Sequence, residues 1–107
     1  MIYLAAPYSH PEKAIMHARF VTITQYCASC MVEGELIFSP ITYGHPFAVA
    51  GLAKTDHMSW WKFNKYMMDT AFSVRVLRIP GWATSKGVTA EIGYCQEHNI
   101  PLEFVSL

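Results

Sequence analysis

Charge is scarce in this chain. Lys, Arg, Asp and Glu make up 15% of its 107 residues, and eight cations balance eight acids, leaving no formal net charge with histidine neutral. There is no basic tail or polybasic stripe, which argues against nucleic-acid binding and against an electrostatic membrane patch. Cysteine is scarce too. Three cysteines, an odd number, do not make a disulfide framework and point to a reducing, cytoplasmic compartment. No apolar run approaches the length of a membrane-spanning helix. The opening Met1-Ile2-Tyr3-Leu4-Ala5-Ala6-Pro7 lacks a basic region and is broken by proline, so no secretory signal is expected. Repeats and low-complexity stretches are missing as well.

Hydrophobic residues are plentiful, at 52%. So little polar surface would cover a monomer poorly, and a homodimer is the expectation. The length fits one domain, residues 1–107, with a small core.

Strand and helix signals alternate along the chain. Ile2 to Ala5 reads as a first strand ended by Pro7. Ser9-His10-Pro11-Glu12 offers a capping residue, a first-turn proline and an early acid, so a helix is expected from there to Gly34. Its apolar stripe is Met16, Phe20, Ile23, Cys27, Cys30 and Met31. Leu36 to Pro40 reads as a second strand, and Ile41 to Lys54, with Gly44, Pro46 and Gly51, as a loop. Thr55 or Asp56 can cap an aromatic-rich helix running to Phe72. Val74 to Ile79 reads as the third strand, Ser85 to His98 as the last helix, stopped by Asn99, and Leu102 to Leu107 as the last strand. This alternation argues for an α/β fold, a parallel sheet covered by helices on both faces. Ligands then bind beyond the carboxyl ends of the strands. That edge holds Ala6-Pro7-Tyr8, Ser39 to His45, Pro80 to Trp82, and the helix start at Ser85.

The segment Ser85-Lys86-Gly87-Val88-Thr89-Ala90-Glu91-Ile92-Gly93 carries the most chemistry. A strand, a turn and a helix start present backbone N–H groups to an anion. Glu91 lies on or beside the apolar stripe Val88, Ile92, Cys95, where a carboxylate needs a partner or a task. An ordinary first-turn acid stabilised by the helix dipole accounts for an exposed glutamate better than for this one. Gly87 and Gly93 flank it and would let a ligand come close. Cys27 and Cys30 have redox spacing, but they fall late in a helix on its apolar stripe and read as core. His10, His17, His45, His57 and His98 show no spacing that pairs them with the cysteines, so no metal site is expected. Trp60, Trp61, Phe63 and Tyr66 read first as core or subunit interface, with base stacking a secondary role for one or two of them.

Three blocks in order resemble the nucleoside 2-deoxyribosyltransferase superfamily, more closely its small bacterial and phage branch. They are Ile2 to Tyr8, then Leu36 to Ile41 with His45-Pro46, then Gly81-Trp82 with Ser85 to Glu91. The resemblance covers nearly the whole chain. It implies a flavodoxin- or Rossmann-like parallel sheet of four or five strands flanked by helices. It also implies cleavage of the N-glycosidic bond of a nucleoside or nucleoside monophosphate, by hydrolysis or transfer, with no cofactor. By that resemblance Glu91 matches the nucleophile, Tyr3 the tyrosine that orients it, and Ser85 the contact to the sugar 5′ end. Such a carboxylate must stay ionised at neutral pH, which a helix N-terminus and a tyrosine hydroxyl favour. Ser85 with Lys86 and Gly87 would attract a phosphate where an aspartate would repel one, so a 2′-deoxynucleoside 5′-monophosphate is the expected ligand. Ala6, Pro7, Tyr8, His45 and Trp82 are expected to line the substrate site; Arg19 is a phosphate contact or a solvated helix face. The family's base-side aspartate is replaced by Asn64, which is no general acid, with Asp69 one turn on as its substitute. Two rivals follow: a binding protein of the same fold that holds a nucleotide or nucleotide sugar without chemistry, and a thiol oxidoreductase using Cys27 and Cys30.

Overall fold

The computed structural model describes residues 1–51 and 57–107, and the side chains of all of these except 57–59. Thr55 and Asp56, expected as a helix cap, and the side chain of His57 lie outside the described residues.

Four parallel strands form one sheet in the order β2-β1-β3-β4, with β1 Ile2–Ala5, β2 Ile37–Phe38, β3 Ser73–Leu77 and β4 Leu102–Val105. Tyr3 pairs with Phe38 on one side and Val74 on the other, and Val76 pairs with Phe104. Among the described residues four helices cover it: α1 Lys13–Val32, α2 Pro40–Val49, α3 His57–Thr70 and α4 Lys86–His98. This is the α/β, flavodoxin- or Rossmann-like architecture. Among the described residues no helix is long and apolar enough to cross a membrane.

Strand alternation divides the core in two. Tyr3, Ala5, Val74 and Val76 face Met68 of α3 and Val88 and Cys95 of α4. Leu4, Ala6 and Leu77 face Ile23 and Cys27 of α1 and Ile41 of α2. Leu4, Ile23, Met68 and Leu77 are fully buried, each contributing on the order of 1.5–3 kcal/mol.

Several boundaries differ from the sequence reading. Helix α1 begins at Lys13, with Glu12 in the cap position, because Pro11 holds the preceding chain extended and the Glu12 N–H is taken by His10 Nδ1 at 3.0 Å. Its stripe buries Ile23, Cys27 and Cys30, but Met31 is 62% exposed. The expected loop from Ile41 is instead helix α2. Ser39 caps it, accepting from the Thr42 N–H at 3.1 Å, and Pro40 supplies a first-turn φ. Gly44 sits inside this helix because the Trp60 ring packs on it: a Cβ there would come 3.1 Å from Trp60 Cη2. The third and fourth strands end earlier than expected, at Leu77 and Val105. Asn99, in the left-handed conformation at φ 56°, ends α4.

Candidate active site

Ser85 opens α4 as its N-cap, its hydroxyl oxygen accepting from the Val88 N–H at 3.2 Å. The helical period then carries Val88, Glu91 and Cys95 along the face turned to the sheet, and all three are buried. Glu91 therefore enters the interior as a carboxyl group, 6% exposed. Tyr3, fully buried on β1, donates its hydroxyl hydrogen to Glu91 Oε2. A strand and a helix separated by most of the chain thus build one buried pair.

Burial pushes the Glu91 carboxyl up to about 8, and the Tyr3 hydrogen bond opposes that only in part. Tyr3 is held well above the usual tyrosine range by its own burial and then by Glu91, so it keeps its proton and remains the donor. The expected carboxylate, ionised at neutral pH, is corrected here. The desolvation of a group with no cation beside it among the described residues outweighs one hydroxyl and the helix dipole.

Glu91 lines a cavity of about 760 Å³, together with Ala6, Tyr8, His45, Asn64, Ser85, Lys86 and Gly87. These come from the loop after β1, from α2, from α3 and from the start of α4, the carboxyl edge of the sheet. Trp60, Trp61, Gly44 and Ala48 wall one part of it. Asn64 is among the lining residues, and its Oδ1 is buried with no hydrogen-bond partner among the described residues. Such an acceptor has room for a ligand donor. The Lys86 and Gly87 N–H groups belong to the first turn of α4, where the helix offers no partner.

Other expected site residues stand elsewhere. Arg19 is a clamp: its guanidinium donates to the carbonyls of Tyr8 at 3.3 Å, Ser9 at 3.0 Å and Pro80 at 3.5 Å. Gly81 is required beside it, with φ 94° and a would-be Cβ 2.5 Å from Arg19 Nη2. Pro7 is fully buried beneath the loop. Trp82 opens a short 3-10 turn and packs on the core near Phe104, their rings 5.9 Å apart. Asp69 lies on the outer surface, where it accepts the Tyr94 hydroxyl at 2.5 Å, and it does not line the cavity. It is therefore no substitute for a base-side acid. Gly93 faces open space, and a Cβ on Gly87 would meet Ser85 Oγ at an ordinary 3.8 Å.

The thiols carry no redox site. Cys27, Cys30 and Cys95 are free and buried. Burial, and then Cys30, pushes Cys27 up to about 11, the reverse of an activated thiolate. Among the described residues no three His, Cys, Asp or Glu side chains form a metal-binding group.

Two features were not legible. The α2 wall, Ile41, Gly44 and Ala48, carries the sequence signals of a loop. His17, whose Nδ1 lies 3.4 Å from His45 Nε2, had no sequence signal beyond being a histidine.

No curated protein matches the chain. Residues 1–105 match the family described as a domain of unknown function, DUF1937. With nearly its whole length covered by that match, and with the sheet, the Tyr3–Glu91 pair and the cavity falling inside it, the chain belongs to the DUF1937 family.

Proposed function

We propose that the protein cleaves the N-glycosidic bond of a nucleoside 5′-monophosphate, with a 2′-deoxy sugar, by hydrolysis or by transfer to a second base. The observation that carries this reading is the buried Tyr3–Glu91 pair in the wall of a cavity that also takes in the first turn of α4. A phosphate at that turn would meet the Lys86 and Gly87 N–H groups, the Ser85 hydroxyl and the Lys86 ammonium. The base would lie against Trp60 and Trp61, with Asn64 Oδ1 accepting from a ring N–H or amino group.

Glu91, once ionised, attacks the anomeric carbon as the C–N bond breaks, and the charge growing on the sugar is met by its carboxylate. Water or a second base then attacks the glycosyl ester and frees Glu91. Tyr3 holds the oxygen it bonds, so the carboxylate has one orientation. Exposed aliphatic and aromatic side chains, among them Val32, Leu36 and Phe72, suit the homodimer that is part of this reading.

The second reading is a binding protein of the same fold. Asn64 favours it, because an amide does not protonate a departing base. Incubation with ribo- and deoxynucleoside 5′-monophosphates, followed by chromatography for free base, separates the two. The expected outcome is base release that falls by about 10³-fold or more in Glu91→Ala, with nucleotide binding retained. Tight binding with no free base establishes the binding protein instead.

A further inference from the structure

Tyr8 is the one tyrosine among the described residues that line the cavity, and its hydroxyl is not left to solvent. Its oxygen lies 2.6 Å from His45 Nδ1. His45 is 9% exposed, and its other nitrogen, Nε2, lies 3.4 Å from His17 Nδ1. His17 is exposed on α1. One unbroken line of titratable groups therefore joins the cavity to bulk water through a buried imidazole. Phe20 stacks on the His45 ring at 4.2 Å and Tyr8 meets it edge-on at 5.6 Å, which fixes the ring with both nitrogens in line. The 3.4 Å separation is at the long end for a hydrogen bond, and catalytic hydrogen bonds shorten in the substrate complex.

On the reading above, the α2 end of this line belongs with the base. His45 belongs to the same face of α2 as Ile41, Gly44 and Ala48, which wall the cavity near Trp60. Burial, and then the charge of His17, lower His45 below the usual histidine range, so at neutral pH its ring is neutral and has one nitrogen open to accept a proton. Burial raises Tyr8, so its hydroxyl keeps a proton to give.

We infer that Tyr8 is the general acid that protonates the departing base, and that His45 and His17 resupply its proton from solvent. This rests on the N-glycosidase reading above and fills the role that Asn64 leaves open. As the C–N bond breaks, its electron pair goes to the base, and the Tyr8 O–H bond breaks as a new bond to hydrogen forms on that base. The Tyr8 oxygen takes the proton from His45 Nδ1, His45 Nε2 takes the proton from His17 Nδ1, and His17 recovers one from water. The water that later opens the glycosyl ester gives its proton to Tyr8, whose own proton returns through His45 and His17 to solvent, so both rings regain their first tautomer and the cycle closes. Tyr8 is catalytic in this scheme; His45 and His17 act through it and are positioning residues.

The test uses substrates that differ in their need for an acid. Whichever deoxynucleoside 5′-monophosphate releases base fastest is compared with its activated analogue, the N7-methylated purine or the 5-fluorinated pyrimidine, whose base leaves with little or no proton. Tyr8→Phe keeps the ring and is expected to slow the ordinary substrate by about 10²-fold or more, and the activated one by a factor of a few at most. His17→Gln, an exposed change that leaves the fold intact, is expected to show the same selectivity more weakly. Equal slowing of both substrates in Tyr8→Phe, or no slowing, overturns the relay while leaving the N-glycosidase reading in place. Release of neither base by the unaltered protein overturns that reading and the relay with it.

Discussion

Arg75 and Glu91 are both buried, at 8% and 6% exposure, and they point to opposite faces of the same sheet. Arg75 on β3 turns to the α1 side. It bonds Glu35 through two nitrogens at 2.9 and 2.6 Å, Glu103 at 2.8 Å and the Tyr26 hydroxyl at 3.2 Å. Those partners, Glu35 foremost, hold its guanidinium firmly charged. Glu91 reaches the other face of the sheet from α4, and its one hydrogen-bond partner among the described residues is the neutral Tyr3 hydroxyl. A buried charge that serves only the fold is surrounded until it is neutralised. Glu91, in the wall of a cavity and with no cation beside it among the described residues, is on the proposed reading the acid whose charge meets a sugar developing positive charge.

The contrast can be broken at either end. The largest expected effect is on base release, which Glu91→Gln should reduce by about 10³-fold or more, while Arg75→Ala leaves the rate per folded molecule unchanged. Loss of activity in Arg75→Ala at full folding would show that the two faces are not separate in function.

Stability should respond in the opposite sense. Arg75→Ala removes a buried, paired cation and its packing, and is expected to cost roughly 2–4 kcal/mol in urea unfolding. Glu91→Gln should stabilise the protein, and increasingly so as pH rises. The folded Glu91 carboxyl titrates near 8, against about 4.5 unfolded, so between those values the native state holds the extra proton. The stability this provides is complete below about 4.5 and is lost as pH rises through 8. The slope is at most about 1.4 kcal/mol per pH unit, and Glu91→Gln should abolish it. Equal pH dependence in the two proteins would mean that Glu91 is not buried as an acid.

How much of this was legible in the sequence follows the same division. Tyr3, Glu91 and Ser85 sit where strand period, helix period and capping chemistry are strong and local, so β1 and α4 could be read from their residues. The α2 wall could not, because Gly44 and Pro46 look like breakers. Only the capped start at Ser39-Pro40 and the seat of the Trp60 ring make a helix of them. The roles of Arg19 and Asp69 depend on where distant chain passes, Pro80 for one and Tyr94 for the other, and no spacing encodes that. The raised Glu91 carboxyl is hidden from the sequence for a related reason. The helix dipole is visible in a sequence, while the depth of burial that outweighs it is not.

The smallest expected effect sharpens the ligand. Ser85→Asp keeps an N-cap, and so costs under about 1 kcal/mol, but sets a negative charge at the first turn of α4. It should raise KM for nucleoside 5′-monophosphates and favour the unphosphorylated nucleosides. An unchanged preference would place the phosphate elsewhere in the cavity.

The central claim is that the Glu91 carboxylate bonds to the sugar. A 2′-fluorinated arabinonucleoside 5′-monophosphate tests it most directly, since fluorine beside the anomeric carbon slows the breakdown of a glycosyl ester. Peptide mass spectrometry after incubation above pH 8 should find one fluorinated sugar phosphate attached to the α4 peptide at Glu91, and none in Glu91→Gln. Release of base with no adduct, or an adduct on any other residue, would contradict the account.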